Sequence, residues 1–535
     1  MLPNPKLSPL RFGTSGVRAL VTDMTDMECY INTRGFIRYL YTIKEIKPGD
    51  SIVLGGDLRS STPRIISAVH KAILDEECQT IYCGFVPTPT LSYYAWKRHL
   101  PAIMITGSHI PEDRNGIKFI KSKEEVLKND EKDILFQVAI VRKEENLRNE
   151  NESLFDIDGF FKQSINLPSE SEEQNVLSEF KKRYTDIFPP NTLTGKKIVL
   201  YEQSAVGRDV FKSILTSLGA EVISFGRSDK FIPIDTEEMS NAVISSLKQL
   251  AQEFKPFAIV STDGDSDRPI LTDENGSFLS GERLCALVSL YLKPDFASMT
   301  ATCGDDKTLI TLLKKSNIEV VLTKIGSPYV IFAMNEKLAK NSNTKVVSWE
   351  RNGGYLTGSN FTINNKILDA LPTRDSILPL LIALVFAKEE GVPLSVLINK
   401  KLSNRFSSSS SVNNKTKGCE PYTVELGKKI ISSFSLKDPN IEEFDFSFKN
   451  INQEAKNIKS KLEPYFNPTF YGSIISLGYL DGVRISFSNG DVVHFRPSSN
   501  APEFRFYITS DTKERADKIL ADCFVIIPKM IADIN

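Results

Sequence analysis

Ala102-Ile103-Met104-Ile105-Thr106-Gly107-Ser108-His109-Ile110-Pro111-Glu112-Asp113-Arg114-Asn115-Gly116-Ile117-Lys118 is an apolar run that breaks into small and polar residues. The four apolar residues at its start read as a buried strand. A strand that ends this way is how an α/β sheet presents a site at a carboxyl edge. Ser108 is a hydroxyl nucleophile with an imidazole, His109, beside it. Arg114 and Lys118 add cations, and Asn115-Gly116 is expected to turn between them. Such a serine could attack a carbonyl or a phosphorus. Taken alone, the stretch is better read as an ordinary strand-to-helix loop whose Ser and His cap backbone groups. The rest of the chain has to decide.

On either side, strand and helix patterns alternate. Residues 11–161 read as one α/β unit, opening on Phe12-Gly13-Thr14-Ser15-Gly16-Val17-Arg18 and including strands at 51–57 and 80–85. A second unit starts at Lys197-Ile198-Val199-Leu200-Tyr201 and runs through strands at 221–225 and 258–261. A third holds helix at 307–315, strands at 319–322 and 346–350, and an apolar helix at 378–386. Alternation of this kind predicts mainly parallel sheets. The serine run of Phe406 to Lys417 is the best linker candidate. Beyond it the pattern changes to short strands, 482–487 and 492–495, joined at the hairpin signal Asn489-Gly490. The expected architecture is α/β: three similar α/β domains with mixed, mainly parallel sheets plus a smaller C-terminal α+β domain. The expected boundaries are 1–188, 189–298, 299–418 and 419–535.

Composition narrows the function classes. Sixty-six basic against sixty-seven acidic residues in 535 leave a formal charge of −1, which provides no general field for nucleic acid or anionic membrane. Seven scattered cysteines and four histidines argue against a disulfide framework, a zinc site or any His-built metal site. No apolar run reaches the ~20 residues of a membrane-spanning helix, and the first residues lack a secretory pattern. A cytoplasmic protein is expected, with no nucleic-acid or membrane partner.

Three further motifs carry chemistry. Asp263-Gly264-Asp265-Ser266-Asp267-Arg268 places three carboxylates at alternate positions just past a strand, where they can converge on one hard divalent cation. A calcium EF-hand loop is excluded, because Arg268 stands where that loop needs Gly and a strand enters where a helix should. Three carboxylates leave coordination positions open, as Mg²⁺ does in phosphoryl-transfer sites; a phosphate on Ser108 would supply one more oxygen. Arg496-Pro497-Ser498-Ser499-Asn500-Ala501-Pro502 offers a forked donor, hydroxyls and an amide for a dianion. Trp349-Glu350-Arg351-Asn352-Gly353-Gly354-Tyr355 offers a carboxylate and an amide for sugar hydroxyls, although Glu350 could equally be plain surface charge.

Taken in order, these loops resemble the α-D-phosphohexomutase superfamily over essentially the whole chain. Its members carry FGTxGxR, a TASHNPxxxNGxK phosphoserine loop, a DGDxDR metal loop, a GExSGH or EANGH sugar loop and an RPSxTxP phosphate loop. The resemblance implies four domains around one central cleft. It implies that Ser108 carries the phosphoryl group, that Asp263, Asp265 and Asp267 hold Mg²⁺ together with the Ser108 phosphate, and that Arg18, His109, Lys118 and Arg268 surround the transferring group. Glu350 and Asn352 would grip the sugar, helped by Lys324, Gly326 and Ser327. Arg496, Ser498, Ser499 and Asn500 would anchor the other phosphate. The chain departs from the pattern at Gly107, Ile110 and Asn500. It departs most consequentially at Gly354, where many members have His; His109 or Glu350 would have to cover a proton acceptor's role.

The implied reaction moves a phosphoryl group between O6 and O1 of a hexose through a phosphoserine and a hexose 1,6-bisphosphate, which is both intermediate and activator. Mannose 6-phosphate to mannose 1-phosphate is the first choice. Phosphoglucosamine or N-acetylglucosamine-phosphate mutase is the alternative, then phosphoglucomutase. A sugar phosphatase and a non-catalytic sugar-phosphate sensor are the readings from other classes. The expected partner is a hexose phosphate, and the expected state a monomer or dimer.

Overall fold

The computed structural model describes residues 10–169, 171–403, 405–447, 452–498 and 503–534. They form two compact units, residues 10–296 with 327–397 and residues 297–326 with 398–534.

The first unit opens with strands β1 (Arg11–Phe12) and β2 (Gly16–Leu20), helix α1 (Asp26–Thr42), β3 (Ser51–Gly56), α2 (Thr62–Asp75), β4 (Gln79–Phe85), α3 (Thr88–Lys97), β5 (Ala102–Ile105), β6 (Arg114–Ile120), α4 (Lys128–Leu147) and α5 (Glu173–Thr185). The six strands form one sheet in the order β1-β2-β6-β5-β3-β4. β3 lies parallel to β4 and β5, while β6 runs antiparallel to both β5 and β2. Side-chain alternation sets the layers. Ile103 and Ile105 of β5 enter the core with Phe36, Ile66 and Val138 of α1, α2 and α4. Ala102 and Met104 face the opposite way, with Leu91 of α3 and Val176 of α5.

Asn115-Gly116 is not a turn but the interior of strand β6. Glycine is needed there because a Cβ on Gly116 would stand 2.8 Å from the Val17 carbonyl oxygen and 2.9 Å from that of Thr106. The nucleophile loop therefore joins two strands instead of a strand and a helix.

A second sheet follows from β7 (Lys197–Tyr201), α6 (Arg208–Ser217), β8 (Glu221–Phe225), α7 (Asn241–Phe254), β9 (Ala258–Thr262), β10 (Pro269–Thr272), β11 (Phe278–Leu279) and α8 (Gly281–Leu292), in the order β11-β10-β9-β7-β8. Its parallel pairs are β7 with β8 and β9, and β10 is antiparallel to β9. The acidic motif is the β9–β10 connection. The unit is completed by antiparallel strands Val346–Trp349, Tyr355–Thr357 and Leu371–Asp375 and the buried helix Ile377–Glu389.

The second unit contains an all-antiparallel sheet of six strands, with Phe406–Val412 at its edge beside Phe504–Ser510. The serine run is thus a paired strand and not a linker. All five serines enter the ladder, and Ser408 donates to Asp517 at 3.1 Å. Short hydroxyl side chains suit a half-exposed edge, so composition misreads what backbone pairing decides. Strands Val483–Phe487 and Val492–Pro497 form the hairpin foreseen at Asn489-Gly490. The last helix runs over Lys513–Ile534. All seven cysteines are buried and none is in a disulfide. Among the described residues no helix is long and apolar enough to cross a membrane.

Candidate active site

Ser108 stands at the carboxyl end of β5, almost wholly buried, with φ of 54°. A non-glycine residue in the left-handed region carries strain that surrounding contacts must hold. Those contacts are clear. Thr106 Oγ1 accepts the Ser108 N–H at 2.7 Å. Arg59, which had given no signal in the sequence, threads its guanidinium beneath the loop. It donates to the carbonyls of Ser108 (3.0 Å), Ile110 (2.6 Å), Pro111 (2.7 Å) and Arg114 (3.0 Å). Asp57 pairs with it at 3.3 Å, and the Phe231 ring covers it with the guanidinium carbon 3.8 Å from the centroid. This also accounts for Gly107, since a Cβ there would stand 2.5 Å from the Arg59 guanidinium carbon.

Ser108 Oγ donates to Asp263 Oδ2 at 2.8 Å, and His109 Nδ1 lies 3.3 Å from the same hydroxyl. The Asp263 loop reaches this close because Gly264 has no side chain; a Cβ on it would stand 2.8 Å from the Ser108 carbonyl oxygen. Within the loop, Asp263 Oδ1 accepts the N–H groups of Asp267 (3.2 Å) and Arg268 (3.1 Å). Thr88 donates to Asp265 Oδ2 at 2.7 Å.

Asp263, Asp265 and Asp267 present carboxylate oxygens within 4.8 Å of one another and are the one such group among the described residues. Asp265 Oδ1 and Asp267 Oδ1 are buried without a hydrogen-bond partner. Burial together with the charges of Asp265 and Asp267 pushes the Asp263 carboxyl well above its usual range. Packed, buried carboxylates with unsatisfied oxygens are the donor set of a hard divalent cation, so these residues fit a metal ion.

Cations surround the group. Arg268 lies 3.8 Å from Asp263 and 3.7 Å from Asp267, and 3.9 Å from Asp235. Asp235 also stands 3.7 Å from His109 Nε2. Arg18 on β2 has its pKa lowered to about 10 by burial and by the charges of Arg268 and Arg374, and remains cationic at neutral pH. Lys118 on β6 is held by the buried Glu125, whose Oε1 accepts from Lys118 Nζ at 2.7 Å. Glu125 also accepts from Thr373 (2.5 Å) and, on Oε2, from Ser327 (3.3 Å). Although burial opposes it, Lys118 and Arg374 bring the Glu125 pKa below its ordinary value.

Glu350 is buried and is not surface charge. Arg374 donates to its Oε1 at 3.0 Å and to Asp267 Oδ2 at 2.7 Å. Asn352 Oδ1 accepts the Gly354 N–H at 3.0 Å. At Gly354 there is no room for a side chain: a Cβ would stand 2.5 Å from Arg374 Cγ.

Lys324, Gly326, Arg496 and Ser498 belong to the second unit. There Asp481 accepts the Ile325 N–H at 2.8 Å and pairs with Arg496 at 3.4 Å, which brings the two loops together. His494 sits between Asp305 (3.1 Å) and the Asp481 carbonyl (2.6 Å). Ser499 and Asn500 lie outside the described residues.

The pattern of the family described as phosphoglucomutase/phosphomannomutase, alpha/beta/alpha domain I, matches residues 9–145, and that of domain III matches residues 280–404. A phosphomannomutase of Sinorhizobium fredii is 33% identical over 97% of this chain and 98% of its own length. One from Salmonella muenchen is 34% identical over 96% and 94%. The crystal structure of a phosphoglucomutase/phosphomannomutase family protein from Burkholderia thailandensis covers 97% of this chain and 96% of its own, with a TM-score of 0.65 at 15% identity. The chain belongs to the phosphoglucomutase/phosphomannomutase family of α-D-phosphohexomutases, and it is an isomerase that moves a phosphoryl group on a hexose.

Proposed function

We propose that this phosphohexomutase interconverts mannose 6-phosphate and mannose 1-phosphate, with Ser108 as the phosphoryl carrier. The observation that carries the reading is the 2.8 Å contact between Ser108 Oγ and Asp263. It places a buried hydroxyl directly on a cluster of carboxylates suited to a cation, which is what a phosphoryl carrier requires and an acyl nucleophile does not. The choice of mannose rests on the two relatives named phosphomannomutase.

Phosphoserine at 108 gives its phosphoryl group to the free hydroxyl of the sugar monophosphate. The 1,6-bisphosphate turns over, and its other phosphate returns to Ser108. His109 Nδ1 is placed to take or return the serine proton as the group arrives and leaves. Arg18, Lys118 and Arg268 offset charge on the transferring oxygens. Asp263, Asp265 and Asp267 would hold Mg²⁺ together with an oxygen on Ser108, and the cation, when bound, would further stabilise that charge. Glu350, Asn352 and Ser327 are assigned to the sugar hydroxyls, with Lys324 and Gly326. Arg496, Ser498, Ser499 and Asn500 are assigned by their chemistry to the phosphate not being transferred.

The Glu350-Arg351-Asn352-Gly353 loop keeps phosphoglucosamine and N-acetylglucosamine-phosphate mutases as the alternative. A coupled assay offering mannose, glucosamine, N-acetylglucosamine and glucose 1-phosphates in turn decides among them. Highest turnover with mannose 1-phosphate supports the proposal, and no mannose turnover overturns it. Release of free phosphate without isomer formation would mark a phosphatase.

A further inference from the structure

Strand Leu371–Asp375 addresses the candidate site with successive side chains. Thr373 donates to Glu125, the partner of Lys118. The next residue, Arg374, is buried and reaches two carboxylates from two different loops. Its Nε and Nη2 both lie 2.7 Å from Asp267 Oδ2, and its Nη1 donates to Glu350 Oε1 at 3.0 Å. Just past the strand, Ser376 donates to the carbonyl of Ser266, between Asp265 and Asp267.

Arg374 grips Asp267 through one oxygen, while Arg268 Nε stands 3.7 Å from the other. Two guanidinium nitrogens converge on Oδ2, and Oδ1 is left buried without a hydrogen-bond partner. A carboxylate held this way cannot rotate freely, so the free oxygen keeps one direction. The same rigid fork holds Glu350, so the orientations of the two carboxylates depend on one side chain. Lysine, a point charge on a flexible stem, cannot make this pair of contacts.

Room for the arginine comes from Gly354. A Cβ there would stand 2.7, 2.5 and 2.6 Å from Arg374 Cβ, Cγ and Cδ. These atoms form the root of the side chain, not its mobile end, so any larger residue at 354 has to displace the whole arginine.

We propose that Arg374 is a positioning residue that couples the carboxylate cluster at Asp263–Asp267 to the Glu350–Gly354 loop, and that Gly354 is glycine in order to admit it. Arg374 orients Asp267 for the cation and Glu350 for the sugar together, so cation affinity and sugar affinity change together when it is moved. This rests on reading the three aspartates as a metal site.

The test uses the full-length protein, freed of metal and titrated with Mn²⁺ by calorimetry, with KM and kcat measured alongside. The proteins are the wild type, Asp265→Asn, Arg374→Ala, Arg374→Lys, Gly354→Ala and the double variant Gly354→Ala/Arg374→Ala. Loss of an outer partner of a metal ligand weakens binding about 10–100-fold. Arg374→Ala, Arg374→Lys and Gly354→Ala are each expected to weaken Mn²⁺ within that range and to raise KM. The double variant is expected to be no worse than Arg374→Ala, because the alanine at 354 then meets nothing. Wild-type Mn²⁺ affinity in both Arg374 variants, while Asp265→Asn binds poorly, would overturn the coupling and leave the metal reading standing. So would additive losses in the double variant. Absence of Mn²⁺ binding by the wild type would overturn both. Should Arg374→Ala fail to fold, Arg374→Lys and Gly354→Ala carry the same comparison.

Discussion

Ser108 Oγ and Asp263 Oδ2 meet at 2.8 Å although their loops are 155 residues apart in the chain. Two strand ends, β5 and β9, deliver them, and the glycine at 264 permits the approach. The hydroxyl therefore already touches the carboxylate cluster without any rearrangement of the loops.

The cluster carries a cost when no cation offsets it. Asp265→Asn removes one of three mutually repelling charges and keeps an oxygen for Thr88. The metal-free variant should be stabilised by about 1 kcal/mol relative to the metal-free parent, a trade of function for stability. It should lose the rise in Tm that Mg²⁺ gives the parent. Scanning calorimetry with and without Mg²⁺ checks both, and a variant whose Tm still rises with Mg²⁺ would count against the aspartates as ligands.

Gly107 and Arg59 are a matched pair. Gly107→Ala puts a methyl group 2.5 Å from a guanidinium carbon that has no exposed side to retreat to. Overpacking of this kind costs about 1–3 kcal/mol. Because the displaced group holds four carbonyls of the Ser108 loop, kcat should fall with it. Denaturant unfolding and steady-state kinetics on the one variant test the pairing, and unchanged kcat would deny Arg59 its role.

Glu125→Gln leaves Lys118 buried beside a neutral amide. Removing one member of a buried ion pair costs about 3–5 kcal/mol. Glu125 has a folded pKa below its ordinary 4.5. Its contribution is therefore present above that value and is lost as pH falls through the folded pKa. The stability gap between parent and variant should be widest near neutrality and close below about pH 4.5. Urea unfolding across pH 3–8 reads it, and a gap that widens towards acid would reverse the assignment.

In the second unit, Asp481 neutralises Arg496 and holds the Ile325 N–H. Asp481→Asn keeps an acceptor and removes the competing charge. KM for the sugar phosphate should fall at low salt, because the buried Arg496 no longer shares its charge with a neighbouring carboxylate. A rise in KM would mean that the carboxylate itself helps bind substrate.

The contiguous parts of the site were legible in the sequence. Asp263 to Asp267 and Thr106 to His109 keep their chemistry within a few residues, and strand ends announce where it is displayed. The partners were not legible. Arg59, Glu125, Asp235 and Arg374 are single charged residues whose meaning comes from contacts remote in the chain, as Arg59 to Ser108, 49 residues apart, and Glu125 to Thr373, 248 residues apart, show. Asn115-Gly116 has the composition of a turn, yet tertiary crowding by Val17 and Thr106 explains the glycine. The serine run misled in the same way, because pairing with Phe504–Ser510 decides its structure and composition does not. The vacancy foreseen at Gly354 is filled by an arginine from a strand some twenty residues further on.

A phosphoryl group carried on Ser108 can be followed by label. The most direct measurement loads the protein with mannose 1,6-bisphosphate labelled in its phosphates, maps the labelled peptide, and chases with unlabelled mannose 6-phosphate. Label is expected on Ser108 alone, with its transfer to sugar at the rate of turnover, and neither label nor mutase activity is expected in a folded Ser108→Ala variant. Normal turnover in that variant, or label on Ser108 that does not chase, would contradict a phosphoryl carrier at Ser108.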